Sequence, residues 1–211
     1  MNFLSKCKQN KTTNVQMMVI TAMLAAISSV LMFFEFPLSF IALPFYKLDF
    51  SEVPVLIGTL AFGPICGIVV EAIKVLVHLL FVPSQTAGIG ELANFLIGCS
   101  FVIPLGLIYK YKKTRNCALL GLVIGSAIMT VTATALNAFL LLPLYSKVFN
   151  MPMHVFTDMG HAIIPAIHNL FTFCVLSVAP FNLIKCFIVS IATYFLYKPL
   201  RIFLQKDIHT S

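Results

Sequence analysis

At 211 residues, 60% apolar and only 10% charged, with a mean hydropathy of +0.99, this chain holds more apolar surface than a soluble fold of its size can bury; soluble domains carry about 25% charged residues. A water-soluble enzyme and a disordered chain are both excluded. The apolar runs are long rather than short and alternating, so an all-α integral membrane protein remains, and the net charge of +7 reads as the Lys and Arg of cytoplasmic loops rather than as a nucleic-acid surface.

Lys6, Lys8 and Lys11 precede the first apolar run, about 15–36. The arrangement is like a secretory signal, but the run is too long and no A-x-A cleavage site closes it. It is expected to be a retained first span behind a cytoplasmic tail, 1–14. An outer loop, 37–50, follows; Phe40, Phe45 and Tyr46 make it unusually aromatic. The stretch from Ser51 to Val82 is too long for one span and too short for two full ones. Gly63-Pro64 is a natural break, which predicts two shortened helices, about 51–63 and 64–82. Interrupted membrane helices often frame binding sites, because their ends need polar partners. Further spans are expected at about 89–109, at 117–142 ending before Pro143, and at 180–203. An outer connector, 144–178, lies between the last two, and 206–211 form a cytoplasmic tail.

Six spans place both termini on one side. The N-terminal lysines, Lys110, Lys112, Lys113 and Arg115, and Lys198, Arg201 and Lys206 then share one face, ten of the 14 basic residues. By the positive-inside rule that face is cytoplasmic; five spans would split the clusters. No repeat or second domain is evident. The six Cys (Cys7, Cys66, Cys99, Cys117, Cys174, Cys186) form no CxxC pair, and most lie in apolar runs, as free buried thiols do.

The chain has no P-loop, no HExxH and no G-x-S-x-G. His154, His161 and His168 recur every seven residues with Asp158 between them. On one unbroken helix they would share a face, as a metal site requires. Pro165 interrupts such a helix, and the competing reading places them at the outer interface with no metal bound. Lys185 is the most informative charge. It lies within the sixth run, with Asn182 on the same face at i−3. An ionisable residue inside a span is a functional candidate; snorkelling to the interface competes, and the polar neighbour favours function. Asn137 is a buried amide whose bland role is an interhelical hydrogen bond. Asp49 and Glu52 can start the second helix as a capping box. Glu71 and Lys74 can simply pair, and Glu91 and Asn94 share a face. By topology the 37–49 loop, Glu91, Asn94, Asn137, Asn182 and Lys185 converge in the outer half of the membrane, a small-molecule site with aromatic stacking surface. Ala22-x-x-x-Ala26 and Ala25-x-x-x-Ser29 on the first helix permit close helix approach, inside the protein or against a partner.

Five ordered segments carry a resemblance: Lys47-Leu48-Asp49-Phe50-Ser51-Glu52-Val53-Pro54; Ala61-Phe62-Gly63-Pro64; Gly90-Glu91-Leu92-Ala93-Asn94-Phe95-Leu96; Leu136-Asn137 through Leu142-Pro143-Leu144-Tyr145; and Pro180-Phe181-Asn182-Leu183-Ile184-Lys185. Together they resemble the riboflavin-specific S component (RibU type) of bacterial energy-coupling factor (ECF) vitamin transporters. The resemblance implies the six-helix S-component fold in the bacterial cell membrane. It implies capture of riboflavin from outside, as cargo rather than cofactor. It also implies a transmembrane coupling protein (T component) and two cytosolic ATPases as partners, so that this chain is no enzyme. Asn137, Asn182 and Lys185 match positions that hold the flavin. Phe45, Tyr46, Lys47, Leu48 and Asp49 belong to a lid whose carboxylate and backbone groups could meet the ribityl hydroxyls, and Glu91 and Asn94 complete the expected site. Ala22 and Ala26 match the motif that meets the coupling protein. The 144–178 connector matches poorly, and its histidines take no role from the family.

Three alternatives remain at this level. One is an S component for thiamine or pantothenate. Another is an intramembrane metal-dependent enzyme built on the connector histidines. The third is an ion-coupled transporter that needs no partner.

Overall fold

Gly63-Pro64 divides the 51–82 stretch as its sequence predicts. Gly63 takes φ 97°, a backbone region open to glycine, and Pro64 begins the next helix where no N–H donor is needed. The computed structural model describes residues 14–37, 46–84 and 87–206, with side chains for 15–37, 46–84 and 87–197. Helix α2 (Glu52–Phe62) buries nine consecutive residues, from Glu52 to Leu60. A helix covered on all sides is a core element. Its 11 residues reach about 16 Å, half the apolar thickness of a bilayer. Around it stand α1 (Asn14–Met32), α3 (Pro64–Phe81), α4 (Ile89–Tyr111) and α9 (Ala179–Lys206). Val55, Leu56, Val70, Phe101, Leu105 and Leu122 form the centre of this core.

Five helical stretches are long and apolar enough to cross a membrane, and α2 adds a shorter sixth segment. Large apolar side chains such as Met18, Leu80, Val131 and Phe187 face outward, as lipid-facing positions require. The molecule is thus an all-α, six-helix membrane bundle.

Three boundaries differ from the sequence expectation, each for a local reason. The first run extends to 36 in the sequence, but α1 ends at Met32. The amides of Phe33 and Phe34 bond to carbonyls three residues back, and the chain turns. Strand β1 (Phe36–Pro37) then pairs antiparallel with β2 (Lys47–Leu48), Phe36 opposite Leu48. This ladder closes the base of the first loop.

The fifth run does not stop at Pro143. Helix α5 (Arg115–Leu136) passes through a π-helical turn, Asn137–Leu141, and continues as α6 (Leu142–Val148). The sixth begins not at 180 but at α8 (Leu170–Phe173), where Asn169 and Thr172 form a reciprocal capping box. It crosses a second π-helical turn, Cys174–Val178, and runs on as α9. Pro143 and Pro180 each follow a π turn by two residues. A proline breaks a helix because it removes an i→i−4 bond. A π turn has already shifted that ladder, so the proline is carried inside the helix. The expected 144–178 connector shrinks accordingly and contains α7 (Met153–Ile163).

Candidate ligand-binding site

The two π turns touch each other, and each prepares an amide. Asn137 Nδ2 donates to the Ala133 carbonyl at 2.8 Å, and Asn182 Nδ2 donates to the Val178 carbonyl at 2.9 Å. Both side chains are thereby held against their own helices and are buried. One cavity is lined by both, and also by Tyr46, Lys47, Asp49, Glu91, Asn94 and Lys185. Eight of the ten ligand-site residues expected from the sequence therefore meet in one place. Leu48 is not on that wall; it is buried where the ladder pairs it with Phe36. Phe45 lies outside the described residues.

Lys185 Nζ donates to Asp49 Oδ2 at 3.1 Å, across 136 residues of sequence. Asp49 Oδ1 accepts from the Ser51 amide at 2.8 Å and from the Ser51 hydroxyl. Burial alone would raise the Asp49 carboxyl, but Lys185, Lys74 and the Ser51 bonds outweigh it and hold the group at about 2. Asp49 thus supports the start of α2, yet the capping box is incomplete, because Glu52 turns to Lys74 instead of reaching back. The Tyr46 hydroxyl donates to Asn137 Oδ1, and its ring packs on Phe181 at 5.6 Å between centroids. Burial pushes the Tyr46 phenol well above its ordinary range, so it stays a donor. Lys47 pairs with Glu35 at the foot of the ladder. Residues 46–49 are therefore held at the cavity by the contacts of Tyr46, Lys47 and Asp49. Apolar surface comes from Met32, Ile97, Met129 and Leu141.

Behind the cavity lies a second charged group. Lys74 Nζ bonds Ser51 Oγ at 3.1 Å and Glu52 Oε1 at 2.7 Å, and pairs with Glu71 Oε2 at 2.8 Å. All three ionic side chains are essentially inaccessible. The expected Glu71–Lys74 pair exists, and Glu52 joins it from α2. Gly98 of α4 lies so close that a Cβ there would fall 2.4 Å from Glu71 Oε1.

The sequence reading did not single out His78. Its side chain lines the cavity, with Nδ1 3.8 Å from Glu91 Oε1. The available signal was spacing: Glu71, Lys74 and His78 fall at i, i+3 and i+7, one polar stripe on an apolar helix.

Away from the cavity, the two small-residue pairs on α1 separate. Ala25 and Ser29 are buried, whereas Ala22 and Ala26 are exposed. The connector histidines do not assemble a cage. His161 Nδ1 lies 2.9 Å from the Ile167 carbonyl, and its ring meets that of His168 in a tilted contact. Among the described residues no three His, Cys, Asp or Glu side chains are placed to hold a metal ion.

A membrane-embedded helical bundle with a cavity lined by amides, charged side chains and apolar surface is a solute-binding membrane protein. The chain belongs to the ECF transporter, substrate-specific component family, which it matches over residues 16–197. It is 39% identical to the riboflavin transporter RibU of Staphylococcus aureus over 94% of this chain and 97% of that one. It is 32% identical to the riboflavin transporter FmnP of Bacillus subtilis, covering 92% and 96%. A solved structure, described as the S component of a bacterial ECF transporter, superposes with a TM-score of 0.70 at 36% identity, covering 90% of this chain and 98% of that one. The protein is accordingly a multi-pass bacterial membrane protein and a substrate-binding subunit.

Proposed function

We propose that this chain is the riboflavin-binding S subunit of an ECF transporter, taking the vitamin from the outer face of the membrane for ATP-driven uptake. The observation that carries the reading is the joining of the buried Asn137, Asn182 and Lys185 on the wall of one cavity, in a family whose similar members are named riboflavin transporters. The isoalloxazine edge offers carbonyl and ring-nitrogen acceptors and one N–H donor. Lys185 donates, and each asparagine amide both donates and accepts. Asp49 occupies one donor of Lys185, which leaves two for the ligand. Tyr46 occupies the Asn137 carbonyl, so a flavin N–H takes the place of the Tyr46 hydroxyl there, while the Tyr46 and Phe181 rings supply stacking surface.

The basic clusters support cytoplasmic termini, with the cavity and the 37–50 loop outside. The exposed Ala22 and Ala26 give a coupling protein a smooth surface to approach. ATP hydrolysis belongs to two cytosolic ATPases bound through that protein, and riboflavin is cargo here rather than cofactor.

The test is the absorption spectrum of freshly detergent-purified protein, followed by titration with riboflavin, thiamine and pantothenate. Flavin bands, or saturable riboflavin binding that the other two vitamins do not compete, are expected. Binding of thiamine or pantothenate in place of riboflavin would transfer the assignment to another vitamin.

A further inference from the structure

The polar stripe on α3 is only partly used by the charged group behind the cavity. Glu71 and Lys74 are absorbed by it, but His78 is not. His78 is 6% exposed, and neither ring nitrogen has a hydrogen-bond partner among the described residues. Buried polar side chains are nearly always bonded, so a group that breaks the rule calls for a reason. The ring leans on Phe33 at 5.9 Å between centroids, tilted by 31°. Its Nδ1 is 3.8 Å from Glu91 Oε1, beyond hydrogen-bonding range.

Glu91 is itself held in place. Its Oε2 accepts from the Ser84 hydroxyl at 2.9 Å, and Ser84 Oγ accepts in turn from the Gly88 amide at 2.8 Å. The cavity therefore presents, on its α3–α4 side, a buried unbonded imidazole and an anchored carboxylate 3.8 Å apart. A hydroxyl placed against both donates to the carboxylate and accepts from an imidazole N–H. Asp49 also lines the cavity, but both of its oxygens are engaged, by Ser51 and by Lys185, and Glu35 is paired with Lys47.

We propose that His78, together with Glu91, contacts the hydroxylated arm of the ligand and makes the site selective for a flavin that carries one. The inference rests on the riboflavin reading, and it assigns the two sides of the cavity different tasks. The amide and ammonium side takes the ring, and the α3–α4 side takes the arm.

The test uses the purified full chain, with riboflavin and with lumiflavin, which has the same ring and a methyl group in place of the ribityl arm. In His78→Phe the preference for riboflavin over lumiflavin falls by roughly tenfold or more, the worth of one hydrogen bond to a charged or buried polar group. His78→Gln, which keeps a donor and an acceptor, retains the preference. A preference unchanged in His78→Phe, or lost equally in both variants, overturns the role of His78. Wild-type protein that binds no flavin at all overturns the riboflavin reading itself, and so separates the two failures.

Discussion

Lys74 and Lys185 are both buried and both paired with carboxylates, yet their donors are used differently. An ammonium has three N–H groups. Those of Lys74 meet Ser51, Glu52 and Glu71, and the side chain does not line the cavity that Lys185 faces. Lys185 bonds Asp49, has no other protein partner among the described residues, and lines the cavity beside Asn182. Burial with a counter-ion thus does not by itself mark a binding group. What marks it is bonding capacity left over and aimed at a space. The two regions are nonetheless one network, because Asp49 and Ser51 connect Lys185 to Lys74, and Ser28 of α1 donates to the Ser51 carbonyl at 2.6 Å.

The contrast breaks most visibly at Lys74. Lys74→Met leaves Glu52 and Glu71 buried without a counter-ion, and removing one partner of such a group costs about 3–5 kcal/mol. A markedly lower thermal midpoint of the detergent-purified protein is expected; a wild-type midpoint would mean that the group carries no structural load. Gly98→Ala tests the same region more gently. Its Cβ would meet the Glu71 carboxylate, and overpacking of this kind costs about 1–3 kcal/mol. A melting curve reads it, and an undisturbed midpoint would show that Glu71 can move aside.

On the cavity side the expected loss is in affinity. Asn137→Ala weakens riboflavin binding by at least about tenfold, or about 1.4 kcal/mol. Equilibrium titration checks this, and unchanged affinity would remove Asn137 from the site. The last effect appears only under acid conditions and concerns Asp49, whose carboxyl is lowered from 3.8 to about 2 in the folded protein. The sign follows from linkage: a depressed carboxyl stabilises the fold above its unfolded value, and that contribution fades as pH falls from about 4 toward about 2. Asp49→Asn should flatten the acid side of the stability profile across that window. A variant that keeps the full acid slope would place the titrating group elsewhere.

Much of this was legible in the residues. Gly63-Pro64 announced the short α2 through two backbone properties that act locally. Asn137, Asn182 and Lys185 stood out because polar groups in apolar runs are few, and topology placed them at one depth. The π turns were not legible. They have no residue signature, so Pro143 and Pro180 read as helix ends when each sits inside a continuing helix. Glu52 was hidden for a different reason. A carboxylate three residues after Asp49 satisfies a local capping rule, and only the packing of α2 on α3 shows that Lys74 claims it. His78 is a lone histidine one turn before the end of the 64–82 run, and only the structure shows that it lines the cavity. Spacing alone could not divide the α1 pairs either; packing turns Ala25 and Ser29 inward and leaves Ala22 and Ala26 exposed.

The proposed flavin site turns on the spare donors of Lys185. Riboflavin titration of the wild type and of Lys185→Ala, with the melting curve of each recorded beside it, addresses that claim most directly. Saturable riboflavin binding by the wild type and a loss of at least about tenfold in the variant are expected, in protein that still melts cooperatively. Equal riboflavin affinity in the two proteins would contradict it.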